Sequence, residues 1–255
     1  MTLLQALVMG VVEGLTEFLP ISSTGHLILT ARLLGIPPSN FQKSFEIAIQ
    51  LGAIGAAAAL YWRSFLNLKI LARVIVAFVP TGVIGLALYP FVKTYLLGNE
   101  AVVLWALAIG GAILIVFELL YREPAGAVDD VADISYRDAF CIGLFQALAI
   151  VPGVSRSGAT IVGGLALGLK RETIVVFSFL LAVPTMAAAT GLDLIKNASS
   201  FSAEQFNVLA CGFVASFVVA MLSIKFLLAY VRTRTFIPFG VYRIAVALIF
   251  VFLIG

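Results

Sequence analysis

Glu13 and Glu17 stand four residues apart in an apolar stretch, so a helix sets both carboxylates on one face, a turn from each other, where like charges repel. Nine residues after Glu17 comes His26, the only histidine in the chain, directly behind Ser22-Ser23-Thr24-Gly25. Imidazole shuttles protons near neutral pH, and a serine hydroxyl becomes a nucleophile once a neighbouring base removes its proton. A second polar run, Pro152-Gly153-Val154-Ser155-Arg156-Ser157-Gly158, carries one arginine among hydroxyls and glycines. A forked guanidinium, hydroxyls and exposed amides suit a phosphate cradle. Three such charges near the centre of a bilayer cost ~2.5–3.5 kcal/mol each, or about 8–10 kcal/mol together. That is comparable with the ~5–15 kcal/mol net stability of a domain, so pairing, water, a metal or a ligand must offset it.

The elements that hold these residues are apolar throughout. Of 255 residues 62% are hydrophobic and 11% charged, a composition that cannot cover a water-soluble surface. Six stretches, 45–62, 70–92, 102–121, 174–195, 206–230 and 238–254, approach or exceed the ~20 residues that cross a hydrocarbon core. Two others, 3–34 and 139–169, are broken by the polar runs above into arms too short to span, which predicts re-entrant helical hairpins. A net charge of +3 and the lack of any basic run interleaved with aromatics exclude a nucleic-acid partner. Cys141 and Cys211 sit in apolar segments without metal spacing and read as small hydrophobes. Glu46 and Gln50 repeat the four-residue spacing at the outer end of a span and read as interfacial; Glu118 and Arg243, toward span ends, read as a structural pair or snorkelling groups.

The two broken segments resemble each other. Gly10-Val11-Val12-Glu13 aligns with Gly143-Leu144-Phe145-Gln146 at an offset of 133, and Ser22 to Gly25 meets Ser155 to Gly158. Downstream, Phe45 falls against Phe177 and Phe78 against Phe213. The predicted fold is an all-α polytopic membrane protein forming a single membrane domain: repeat one 1–121, a cytoplasmic linker 122–137, and repeat two 138–255. Each repeat holds one hairpin and three spans, and an odd number of crossings inverts the second against the first, an architecture known among transporters. That topology puts ten Lys and Arg residues on the linker side and four on the other, which makes the linker side cytoplasmic and opens the first hairpin outward.

The run Glu13-Gly14-Leu15-Thr16-Glu17-Phe18-Leu19-Pro20 with Ser22-Ser23-Thr24-Gly25-His26, together with Pro152-Gly153-Val154-Ser155-Arg156-Ser157-Gly158-Ala159-Thr160, resembles the undecaprenyl-diphosphate phosphatases, also called bacitracin-resistance proteins. The resemblance covers essentially the whole chain. It implies a multi-pass enzyme of the bacterial inner membrane, its active site open to the periplasm, that hydrolyses undecaprenyl diphosphate to the monophosphate carrier lipid for peptidoglycan synthesis. It also implies a divalent cation, and carries the functional positions onto Glu13, Glu17, Ser23, His26 and Arg156, with Ser22, Thr24, Ser155 and Ser157 nearby.

Within that frame Glu13 and Glu17, as hard oxygen donors, suit magnesium or calcium, and Arg156 with the flanking hydroxyls suits the phosphate. Ser23 is the expected nucleophile with His26 as its proton partner; attack by His26 itself or by water remains chemically open. A lipid or ion transporter is the competing function, since the inverted repeat alone fits one equally well. A homodimer is compatible with the sequence.

Overall fold

The structure, a computed structural model, describes residues 1–96, 99–197 and 205–254. Among them the chain forms ten α-helices: α1 (Leu3–Thr16), α2 (Ser23–Leu33), α3 (Asn40–Phe65), α4 (Leu68–Tyr95), α5 (Glu100–Leu120), α6 (Tyr136–Ala147), α7 (Arg156–Ala166), α8 (Arg171–Asn197), α9 (Phe206–Val231) and α10 (Ile237–Ile254). Five of them, α3, α4, α5, α8 and α9, are long and apolar enough to cross a membrane. The sixth expected span falls in the shorter class with α1: the 18 residues of α10 rise about 27 Å, just under the ~30 Å of a hydrocarbon core.

The two short pairs, α1–α2 and α6–α7, occupy the broken segments, with arms of 14, 11, 12 and 11 residues. Their breaks lie slightly earlier than the polar runs suggest, because Ser23 and Arg156 already belong to the following helices. Ser22 caps α2 by accepting from the Gly25 amide, and Ser155 caps α7 by accepting from the Gly158 amide, one orphan donor satisfied in each case. Ser22 holds its cap at φ +73°, a left-handed conformation that a side chain rarely adopts. Gly153, at φ +92°, makes the corresponding reversal in the second break, where a Cβ would run into the Val103 carbonyl.

Packing crosses between the halves of the chain. Helix α1 lies along α9 and α6 along α4, while α3 meets α8 and α5 meets α10. In lipid, close contact between small residues rather than water exclusion drives such pairings. Gly10 and Gly14 lie so near the Gly212 and Ser216 carbonyls that a Cβ would fall 2.5 and 2.6 Å from them. Gly143 approaches the Ala77 carbonyl in the same manner, and Gly111 and Gly240 each face the other's carbonyl where α5 crosses α10. Phe18, from the first break, stacks edge-on against Phe179 of α8 in the largest core cluster.

Polar contacts collect at two ends. At one, Gln5 reaches the Leu34 carbonyl and Arg32 pairs with Glu100. At the other, the linker residue Val128 bonds Gly168 and Lys170, Arg73 donates to the Ile134 carbonyl, Arg232 pairs with Glu172, and Arg171 grips the buried Glu118. Glu118 also accepts from the Phe236 amide at the start of α10. This corrects the expected Glu118–Arg243 relation: Arg243 enters the core two turns into α10, and a different arginine neutralises Glu118.

Candidate active site

The breaks of the two hairpins meet. Glu17, at the end of α1, accepts from the Ser23 hydroxyl at 2.6 Å through Oε2 and pairs with Arg156 Nη2 at 3.1 Å through Oε1. The Arg156 guanidinium spends Nη1 on the Ser178 carbonyl of α8 at 3.0 Å and lies over the Phe18 ring. Ser157 donates to the Leu19 carbonyl at 2.8 Å, tying the start of α7 to the first break. Because Ser22 and Ser155 cap their helices in the same way, Ser23 and Arg156 take the same place, the first helical position, in the two halves. A hydroxyl from one half and a guanidinium from the other therefore share one carboxylate.

Glu17, Ser22, Ser23, Thr24, Ser155 and Arg156 line a cavity of about 240 Å³, together with Gln50, Met186 and Thr190 among others. Of the expected phosphate-binding hydroxyls, Ser22, Thr24 and Ser155 reach it. Ser157 does not; it is fully buried behind the cavity and holds Ser155 at 3.0 Å.

Glu13 also lies behind the cavity wall. It is fully buried beside Glu17, within charge range of Glu46 and Arg156, and with both carboxyls ionised neither of its oxygens finds a donor among the described residues. An anion left this way in lipid is costly, and it marks the place where a cation would be most welcome. No cluster of three His, Cys, Asp or Glu side chains converges among the described residues. The donor set therefore fits a hard cation held by one or two carboxylates, its remaining ligands being water and substrate oxygens, which is how magnesium is commonly bound.

His26 is placed otherwise than expected. Side chains on a helix lean toward its N-terminus, and from the fourth position of α2 the imidazole folds back onto the cap: Nδ1 lies 2.7 Å from the Ser22 carbonyl. A carbonyl only accepts, so Nδ1 carries a proton, and in the neutral ring Nε2 accepts from the Tyr242 hydroxyl at 2.9 Å. Tyr242 also stacks on the ring. The expected Ser23–His26 hydrogen bond is absent, and Ser23 turns to Glu17 instead.

Sequence reasoning missed Tyr242 and Ser178. Tyr242 is a lone phenol in an apolar span and carries no signal. Ser178 had one, since the repeat alignment sets it opposite Glu46. Gln50, read as interfacial, faces the cavity, whereas its neighbour Glu46 pairs with Gln42.

The family model for bacitracin resistance protein BacA matches residues 6–249. The undecaprenyl-diphosphatase of Aquifex aeolicus (strain VF5) is 50% identical over 251 residues, covering 98% of both chains. That of Sulfurihydrogenibium sp. (strain YO3AOP1) is 49% identical over 250 residues with the same coverage, and that of Bdellovibrio bacteriovorus is 46% identical over all of this chain and 97% of its own. A match that takes in both hairpins, the cavity between them and nearly every helix leaves one assignment: the chain belongs to the bacitracin resistance protein family.

Proposed function

We propose that the protein is a membrane phosphatase that hydrolyses undecaprenyl diphosphate to undecaprenyl phosphate and inorganic phosphate, recycling the carrier lipid for peptidoglycan synthesis and so conferring resistance to bacitracin. The names of the relatives motivate the substrate. The observation that carries the chemistry is the contact of Ser23 and Arg156 through Glu17, which puts a hydroxyl, a proton acceptor and a guanidinium in one cavity of an apolar protein.

In this reading the terminal phosphate enters beside Arg156 and joins or displaces its pairing with Glu17. The Ser23 oxygen attacks the terminal phosphorus as Glu17 accepts its proton, an Oγ–P bond forms, and the bond to the bridging oxygen breaks with undecaprenyl phosphate as leaving group. Water then attacks the phosphoserine, Glu17 exchanges the proton in turn, and phosphate departs with the serine restored. Arg156 stabilises charge on the transferring group, the larger part of the work in phosphoryl transfer. His26 holds the Ser22 carbonyl and so fixes the turn that presents Ser23. Glu13, with Glu17, would hold a magnesium or calcium ion, which supplies neutralisation of diphosphate charge when bound.

The two halves, 1–121 and 138–255 joined by 122–137, are read as inverted repeats whose hairpins are re-entrant. The matched caps at Ser22 and Ser155, and the matched approaches of Gly10 to Gly212 and Gly143 to Ala77, support this reading. The basic bias supports a cytoplasmic linker and a cavity open to the periplasm. Two of the four basic residues on the poorer side, Lys93 and Lys196, have side chains outside the described residues. The cavity is complete within one chain, so the reading asks nothing of a homodimer.

Phosphate release from a prenyl diphosphate by the purified protein in detergent tests the reaction. A transporter of the same architecture would bind the lipid and release none. For topology, a cysteine introduced between 129 and 133 is expected to resist an impermeant reagent in intact cells; labelling there reverses the orientation.

A further inference from the structure

Arg243 is almost wholly buried in α10, and among the described residues it makes no ion pair. All three guanidinium nitrogens donate to backbone carbonyls instead: Nε to Leu107, Nη1 to Pro20, and Nη2 to Ala106 and Gly153, at 2.9 to 3.3 Å. Leu107 and Ala106 belong to α5. Pro20 and Gly153 belong to the two breaks, and each stands three residues before the group its half delivers to the cavity, Ser23 in one and Arg156 in the other.

A buried cation is not needed to pack α5 against α10, since apolar side chains of similar volume commonly pack as well as buried charges. Its task must be the carbonyls. Those of Pro20 and Gly153 lie outside helices, and in lipid such groups need a partner supplied by the protein. One planar fork answers both from a single side chain, so the separation of the two breaks is set by the width of a guanidinium. Helix α5 is shaped to receive it: a Cβ at Gly110 would overlap Nη2.

We infer that Arg243 is a positioning residue for the phosphoryl transfer, holding the Ser23 turn and the Arg156 turn at their working distance without touching the substrate. This rests on the phosphatase reading above. Misplacement of reacting groups by about 1 Å costs on the order of 10²-fold in rate, so the effect belongs to turnover rather than to binding, which the cavity hydroxyls and the lipid still provide.

The test separates kcat from KM for wild type, Arg243→Met, Arg243→Lys and Gly110→Ala in detergent, with a thermal unfolding curve for each. The expected result is a kcat lower by about 10²-fold in Arg243→Met and by about 10-fold in Arg243→Lys, whose ammonium keeps the charge but loses the fork. KM stays within about threefold of wild type, as truncating a group remote from the substrate should leave it. Gly110→Ala, which leaves Arg243 in place but displaces its guanidinium, should reproduce the loss seen with lysine. Wild-type kcat in folded Arg243→Met or in Gly110→Ala overturns the proposal, as does a rise in KM at unchanged kcat. If Arg243→Met does not fold, the lysine and Gly110 variants decide. An inactive wild type would reject the phosphatase reading itself, whereas an active wild type with unaffected variants rejects this inference alone.

Discussion

The first hairpin and the second are built alike and furnished differently. Both break at a serine that caps the returning arm by accepting from a glycine amide three residues on, and both set a glycine of the first arm against a backbone carbonyl of the neighbouring helix. In the second, the Gln146 amide nitrogen donates to Thr81 and Thr185, while its carbonyl oxygen has no hydrogen-bond partner among the described residues. In the first, Glu13 stands at the matching place with two unpartnered carboxylate oxygens. At this position the second hairpin carries a neutral amide whose N–H groups are both used, and the first a carboxyl group that finds no donor. The same capping bond is thus reached by two backbones, a left-handed Ser22 in one half and an extended Ser155 behind a left-handed Gly153 in the other, and the side chains at equivalent positions differ in charge.

The division of labour is broken most directly at the first helical position of each returning arm. Ser23→Ala and Arg156→Lys are each expected to lower phosphate release by at least ~10²-fold while the protein remains folded, in the range for loss of an acid-base or charge-stabilising group. Trapping the phosphorylated enzyme sharpens this. Phosphate found on His26, or substantial turnover by Ser23→Ala, would move the nucleophile elsewhere and leave Arg156 as the clamp.

Exchanging the equivalent residues comes next. Glu13→Gln gives the first hairpin the residue of the second, and is expected to reduce activity by ~10-fold or more and blunt the response to added magnesium, because a carboxylate that would serve the cation is gone. The melting temperature should not fall, since an uncompensated buried charge has been removed. Gln146→Glu should do the reverse, costing ~2–3 kcal/mol of stability with catalysis retained in the folded fraction. Unchanged activity and metal response in Glu13→Gln would remove Glu13 from the site.

Glycine contacts give a smaller test of the symmetry. Gly10→Ala and Gly143→Ala each drive a methyl into a carbonyl of the facing helix. Each is expected to destabilise by roughly 1–3 kcal/mol, as overpacking does, and thermal unfolding in detergent should rank them close together. A large cost at one and none at the other would show that the two interfaces are not equivalent.

The least effect is expected at the linker end. Lys170 holds the exposed Asp129 carboxyl below its ordinary value by a hydrogen bond and by its charge. A depressed carboxyl contributes stability above its unfolded pKa and loses it as pH falls through the folded one, so any contribution is complete at neutral pH and disappears only in strong acid. Exposed pairs contribute little. Lys170→Ala should leave both the melting curve and turnover at pH 7 unchanged within error.

Much of this was legible in the sequence because lipid imposes few solutions. Long apolar runs gave α3, α4, α5, α8 and α9, and arms too short to span, interrupted by Pro, Gly and hydroxyls, gave the two hairpins. Glu17, Ser23 and Arg156 stood out as polar groups in hydrocarbon. What could not be read was partnership. The direction of the His26 ring depends on the left-handed turn at Ser22, a conformation that no residue type there announces, so its bond to the Ser22 carbonyl, and hence the freedom of Ser23 to choose Glu17, emerges only in three dimensions. Arg243 and Tyr242 are isolated polar residues in a helix without periodic pattern, and their partners lie 90 or more residues away in the chain.

The crossed packing of the halves also has a bearing on how the protein is made. Helix α1 leans on α9, whose first residue is synthesised about 190 residues after α1 ends. At ~5–20 residues per second, α1 must wait roughly 10–40 s in or beside the translocation machinery before its neighbour exists. Through that interval Glu13 and Glu17 lack the helix that will shield them, and Arg156 has yet to be joined to the carboxylate it will meet. Until α9 is made, the nascent first hairpin therefore carries two carboxyl groups without the helix against which α1 finally packs.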